Sequence, residues 1–220
     1  MAGAGNPNWP RDLLARLRRY LPLKGVGTTA FISVFFVGYF HVLRSTAHEA
    51  VLMPVTALDD LVGFQPAALY VYVSLWVYVG LPPAIMRDLR ELIAYGWWIA
   101  ALCVAGLACF WFWPTAVPLH PVDTNLYPAY RLIQGLDAAG NACPSLHVAT
   151  AAFSAVWLDR LLAEIGAGWR MRTINWTWFA AIAWSTMATK QHVALDVLAG
   201  ILLALAFALP SLRLRAKEIA

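Results

Sequence analysis

Charge is what this chain has least of. Of its 220 residues only 13% are Asp, Glu, Lys or Arg, while 61% are hydrophobic. Soluble domains carry about a quarter charged residues and roughly half apolar ones, so a soluble globular domain is excluded. Cysteine is scarce as well: Cys103 and Cys109 lie in an apolar run and Cys143 in a loop, which makes no disulfide framework. The chain has no glycine-rich phosphate loop, no internal repeat and no low-complexity tract. Its net charge of +4 does not mark a nucleic-acid partner, because the basic residues punctuate apolar runs instead of forming a patch.

What the chain does have is long uncharged runs, at 25–43, 61–86, 92–122, 138–158, 173–189 and 197–212. About 20 apolar residues cross a bilayer. The sequence therefore predicts an all-α polytopic membrane protein, with six transmembrane helices near 25–44, 66–86, 92–113, 147–166, 173–190 and 192–212. The first apolar run is longer than the roughly 7–15 residues of a signal-peptide core, so it reads as a retained span.

With the N-terminus in the cytoplasm, thirteen of the sixteen basic residues fall on the cytoplasmic side; only Arg44, Arg131 and Lys190 fall outside. That asymmetry sets the orientation. It divides the chain into a basic amphipathic cytoplasmic segment (1–24), a six-helix membrane domain (25–212) and a basic cytoplasmic tail (213–220). The expected setting is a bacterial inner membrane, with the loop 114–146 and the stretch 189–196 facing the periplasm.

Several local features follow. Leu13, Leu14, Leu17 and Tyr20 among arginines make 9–20 a short helix on the inner leaflet, or else a basic tail. Residues 45–65 form an outer loop containing Pro54 and the pair Asp59-Asp60. Pro82-Pro83 breaks the end of the second span at its cytoplasmic side. Trp97, Trp98, Trp111 and Trp113, near the ends of the third span, read as interface anchors.

Two clusters carry chemistry. "TKQHVALD", 189–196, places Lys190, His192 and Asp196 together at the mouth of an apolar run. Ionisable residues at membrane depth are costly and default to functional readings. His192 and Asp196 are one helical turn apart, so a carboxylate can hold one imidazole nitrogen and raise the basicity of the other. Such an imidazole suits a nucleophile or a general base, and the alternative is a buried pair that satisfies itself. In "NACPSLHVAT", 141–150, Pro144 and Ser145 open a helix and His147 sits in its first turn, where an anion is favoured. Ser145, backbone amides and Lys190 describe a phosphate cradle; the bland alternative is a helix cap with a chance histidine. Both clusters fall on one face of the membrane under the charge-derived topology.

"PSLH" followed by "STMATKQHVALD" resembles the second and third signatures of the membrane lipid phosphate phosphatases, the type-two phosphatidic acid phosphatase superfamily. The pattern is PSGH, then a gap, then SR-x5-H-x3-D. Here Ser185 stands seven residues before His192, and 37 residues separate it from His147. "NACPSLHVA" and "TKQHVALDVLAG" are similar to the branch containing inositol phosphorylceramide synthases. The resemblance implies His192 as the nucleophile forming a phosphohistidine, Asp196 as its orienting group and His147 as the general acid. It implies phosphate binding by Ser145, Ser185 and Lys190. Two departures stand out: Thr186 replaces the signature arginine, and the first signature's lysine and arginine are absent. "FWPTAVPL", 112–119, resembles the branch's Pro-Thr element, with Leu119 where an arginine is often found, and Arg131 is nominated for the phosphate in its place.

The expected function is a phosphoric-ester hydrolase acting on a membrane lipid phosphate or diphosphate, without metal or other cofactor, since cationic side chains do a metal's work. Its partners are the bilayer and that lipid substrate. One alternative is a phosphotransferase moving a phospho-headgroup to an alcohol acceptor. Another, of a different class, is a six-helix transporter using His192 and Asp196 as a proton relay, although no repeat supports it.

Overall fold

The computed structural model describes residues 6–45, 48–118, 127 and 141–219, and these are mostly helical. In chain order the elements are α1 Trp9–Arg18, α2 Leu21–Ser45, β1 Val51–Leu52, α3 Ala57–Leu61, α4 Ala68–Val73, α5 Leu75–Tyr78, α6 Leu81–Ile85, α7 Leu89–Phe112, β2 Thr115–Ala116, α8 Leu146–Glu164, α9 Trp169–Ala188 and α10 Ala194–Ile219. β1 and β2 pair in parallel, Val51 with Thr115 and Leu52 with Ala116.

Among the described residues, five stretches are long and apolar enough to cross a membrane: α2, the rod Ala68–Ile85 made by α4 to α6, α7, α8 and α10 through Leu214. This fits an integral membrane protein. The remaining expected span, the fifth in chain order, is a full helix, α9, of 20 residues. Arg170, Arg172, Thr173, Asn175 and Thr177 leave it less apolar than the others. It packs along α8 and α4.

The second span is not the single helix that its composition predicts. It breaks after Val73 and after Tyr78, although Ser74, Val79 and Gly80 all keep right-handed helical backbone angles. At the first break the Ser74 hydroxyl donates to the Val71 carbonyl at 2.6 Å and accepts from Trp178 Nε1 at 2.9 Å. A hydroxyl that bonds back onto its own helix competes with the regular ladder. Pro82 and Pro83 lie in the broken end of the span, as expected, and occupy the first turn of α6, where a missing N–H costs nothing.

The N-terminal segment docks on the protein itself. Trp9, Leu13 and Leu17 of α1 pack against the core. Arg16 is buried, 3.3 Å from Asp12 and 3.9 Å from Glu164. Lys24 Nζ donates to the carbonyls of Arg16 at 2.8 Å and Ala84 at 2.7 Å. Asn6 N–H bonds Gly166 at 2.9 Å. One end of the bundle is thereby closed. The helix α10 runs on past Leu212 to Ile219, so the terminal basic residues belong to its last turns.

The centre of the bundle is α8, which packs against α7, α9 and α10. Phe153, Trp157 and Leu161 are fully buried, and Ala149, Ala151, Ala152 and Ala155 let the neighbours approach closely. Gly200 of α10 is required by that closeness: a Cβ there would lie 2.5 Å from the Ser145 carbonyl oxygen. Gly106 of α7 plays the same part against the Leu146 side chain. Two internal polar side chains pair across helices: Tyr78 Oη donates to Asn175 Oδ1 at 2.6 Å, and Asn175 Nδ2 to the Ala155 carbonyl at 3.0 Å. Trp97 and Trp113 are exposed as expected for interface anchors and Trp111 partly so, whereas Trp98 is only partly buried and packs on Phe207 with ring centroids 6.4 Å apart.

Candidate active site

The site forms where the first turns of α8 and α10 meet. Ser145 caps α8, its Oγ accepting the Val148 N–H at 3.2 Å, so the expected cap is present, while Pro144 precedes the cap and not the first helical turn. The hydroxyl hydrogen of Ser145 is not used by that bond. Ser145 N–H donates to the Asp196 carbonyl at 3.1 Å, which ties the two sequence clusters to each other. Behind them, Thr115 Oγ1 accepts the Cys143 N–H at 2.8 Å and the Thr115 carbonyl accepts the Ala142 N–H at 3.0 Å. The Pro-Thr element thus holds the segment that leads into Ser145.

The two histidines face each other, with ring centroids 5.9 Å apart. His192 is 5% exposed and Asp196 fully buried, with His192 Nδ1 lying 3.4 Å from Asp196 Oδ2. No hydrogen bond is formed at that distance: Oδ2 instead accepts the Val193 N–H at 3.0 Å, and Oδ1 is buried without a partner. His147 Nε2 lies 2.7 Å from Tyr72 Oη, and the two rings stack obliquely at 4.7 Å. Tyr72 comes from the broken span, and no sequence signal pointed to it.

The turn between α9 and α10 explains how His192 is held. Lys190 N–H bonds the Met187 carbonyl at 3.0 Å and Gln191 N–H the Thr186 carbonyl at 3.0 Å. That is a Schellman ending, whose left-handed position usually holds glycine. Lys190 takes it instead, with φ of 57°. Non-glycine residues in that region are uncommon and gather at functional sites. Thr186, where the signature arginine would stand, offers its carbonyl to His192 N–H as well, at 3.1 Å.

The Lys190 ammonium is not aimed between the histidines. Its Nζ donates to the Val62 carbonyl and lies 3.3 Å from that of Asp59. Asp59 is itself buried and reaches back: Oδ1 accepts the Ala194 N–H at 2.7 Å. Its Oδ2 accepts from the Thr56 N–H at 2.8 Å and the Thr56 hydroxyl at 2.7 Å. Burial pushes the Asp59 carboxyl up, but the hydrogen bonds from Thr56 and Ala194 and the Lys190 charge outweigh it and hold it below the usual carboxylate value. The loop between α2 and α4 is therefore clamped onto the His192 turn. Thr56-x-x-Asp59 is a capping-box spacing, which was the available signal.

Ser185 is buried and its hydroxyl donates within its own helix, to Ile182 at 2.7 Å. Arg131 lies outside the described residues. Among the described residues no group of three or more His, Cys, Asp or Glu side chains could hold a metal ion.

A polytopic helical bundle with paired histidines at one end, one backed by a buried carboxylate, defines the class. A family model described as the PAP2 superfamily matches residues 111–220, half of the chain, and the protein belongs to that superfamily. No curated protein and no solved structure matches it. Members of this superfamily are typically phosphatases or phosphotransferases.

Proposed function

We propose that this protein hydrolyses the phosphate ester of a membrane lipid through a phosphohistidine on His192. The observation that carries the reading is the pair of facing imidazoles at the α8–α10 junction, with Asp196 behind His192. The His192 nitrogen remote from Asp196 attacks phosphorus as the bond to the lipid oxygen breaks, and His147 passes a proton to that oxygen. Water then attacks the phosphohistidine with His147 as base, which releases inorganic phosphate and restores both rings. Ser145, donating its free hydroxyl hydrogen, and the first turn of α8 suit the equatorial oxygens. Lys190 contributes its charge to the same oxygens by exchanging its carbonyl partners for phosphate, and Ser185 supports the turn from within α9. Arg131 is the further cation proposed for this role.

The basic-residue asymmetry supports six spans, with α9 as the fifth of them, and the histidines on the non-cytoplasmic side. The phosphotransferase reading shares every step up to the second attack, where an alcohol takes the place of water. A purified-protein assay with lipid monophosphates and diphosphates, with and without inositol, glycerol or a lipid alcohol, separates the two. Free phosphate is the expected product. Label passing into a new lipid while phosphate stays at background would replace hydrolysis with transfer.

A further inference from the structure

A cavity of about 430 Å³ begins at His147 and Tyr72 and runs inward between α2 on one side and α5, α7 and α8 on the other. One face of α2 lines it at helical spacing, through Lys24, Gly27, Phe31, Phe35 and Tyr39. Opposite are Trp76, Ile99 and Gly96. Phe36 of α2 meets Trp76 of α5 with ring centroids 5.3 Å apart, bridging the two walls of the groove. Its inner end is shut by Leu23 and by Lys24, whose ammonium is held on two carbonyls. The fifteen helical steps from Lys24 to Tyr39 span about 22 Å at ~1.5 Å each. Half of a hydrocarbon core of about 30 Å is only ~15 Å. The groove therefore passes the bilayer midplane.

We propose that this groove holds one long apolar chain of the lipid phosphate, with Gly96 setting how deep the chain reaches. The proposal rests on the lipid phosphatase reading for the group that sits at His147. Continuity fixes the occupant: the groove opens on the proposed proton donor and is walled almost wholly by apolar and aromatic side chains. A phosphate seated between the histidines would lead its own ester chain directly into it. Gly96 lines the inner half, and a Cβ there would meet nothing within 4 Å, so a larger side chain would project into open groove without displacing its neighbours.

The experiment compares octyl and octadecyl monophosphate, which share a headgroup, in the series Gly96→Ala, Gly96→Leu and Gly96→Phe. The parent should prefer the octadecyl ester. In the Phe variant kcat/KM for octadecyl phosphate should fall by about tenfold or more, since losing the burial of only two methylenes is worth that much. The octyl ester should stay within about twofold, which also reports that the variant folds. Equal losses for both esters, or none for either, would overturn the proposal. A second measurement does not depend on turnover: octadecyl phosphate with a terminal diazirine should crosslink to Leu23, Leu92 or Ile93 in the parent and lose that crosslink in the Phe variant. Crosslinking elsewhere would overturn the groove assignment. Crosslinking there with no phosphate release would overturn the hydrolase reading and leave the groove standing.

Discussion

Ser145 donates its backbone N–H to the Asp196 carbonyl at 3.1 Å, across two helices and 51 positions of sequence. That bond brings the cap of α8 and the first turn of α10 together, and it sets His147 opposite His192. Gly200 is one turn further along α10 and is the residue that permits the approach.

Gly200→Val tests this closeness. Its side chain must push against the Ser145 carbonyl, and overpacking of a well-filled contact costs about 1–3 kcal/mol. The expected result is a lowered thermal midpoint together with a large loss of phosphate release. An unchanged midpoint would show that α8 and α10 have room between them.

His192→Ala removes the attacking nitrogen, so phosphate release should fall to background while the detergent-extracted protein stays folded. Asp196→Asn should keep the fold and lower the rate by about three to four orders of magnitude, because an amide no longer favours the reactive tautomer. Rapid-quench trapping of phosphohistidine separates the two: absent from the first variant, slow in the second. Activity within about tenfold of the parent in His192→Ala would remove it as nucleophile.

Asp59 gives a pH signature. Its folded-state pKa is depressed, so its contribution to stability is fully present above the unfolded value of about 3.9 and is lost as pH falls through the lower folded value. Asp59→Asn should therefore be less stable than the parent at neutral pH, and the gap between them should narrow below pH ~4. A gap that is constant with pH would mean that the carboxylate charge contributes nothing to the clamp.

Sidedness is tested at Asp60, which is exposed on α3 beside the clamp. In a variant lacking Cys103, Cys109 and Cys143, Asp60→Cys should react with a membrane-impermeant thiol reagent in intact cells whose outer barrier admits it. Labelling only after lysis would reverse the orientation and place the histidines in the cytoplasm.

Much of the chain was legible because membrane solvation imposes a coarse rule. Uncharged runs of spanning length gave the helix positions to within a few residues, as at Leu89–Phe112 and Leu146–Glu164. The break at Ser74 was not legible, since it depends on Trp178, which is 104 residues away. The prolines Pro82-Pro83 signalled a break at the end of the second span, and the short α6 that they open is that break, because proline starts a helix as readily as it interrupts one.

The sequence by itself picked out the residues proposed to carry chemistry: i and i+4 spacing paired His192 with Asp196, and a serine ahead of His147 marked a helix start. Those are local relations, set by covalent geometry and the helical repeat. Tertiary structure decided everything that depends on distance between helices. It gave His147 a tyrosine partner from α4 and spent the Lys190 ammonium on carbonyls of the loop between α2 and α4. It turned Asp59 from a loop acid into the clamp on the His192 turn, and opened a groove beneath His147. Burial is the reason. A polar group removed from water must find its partner within hydrogen-bonding reach, and only packing determines which residue is near enough to serve.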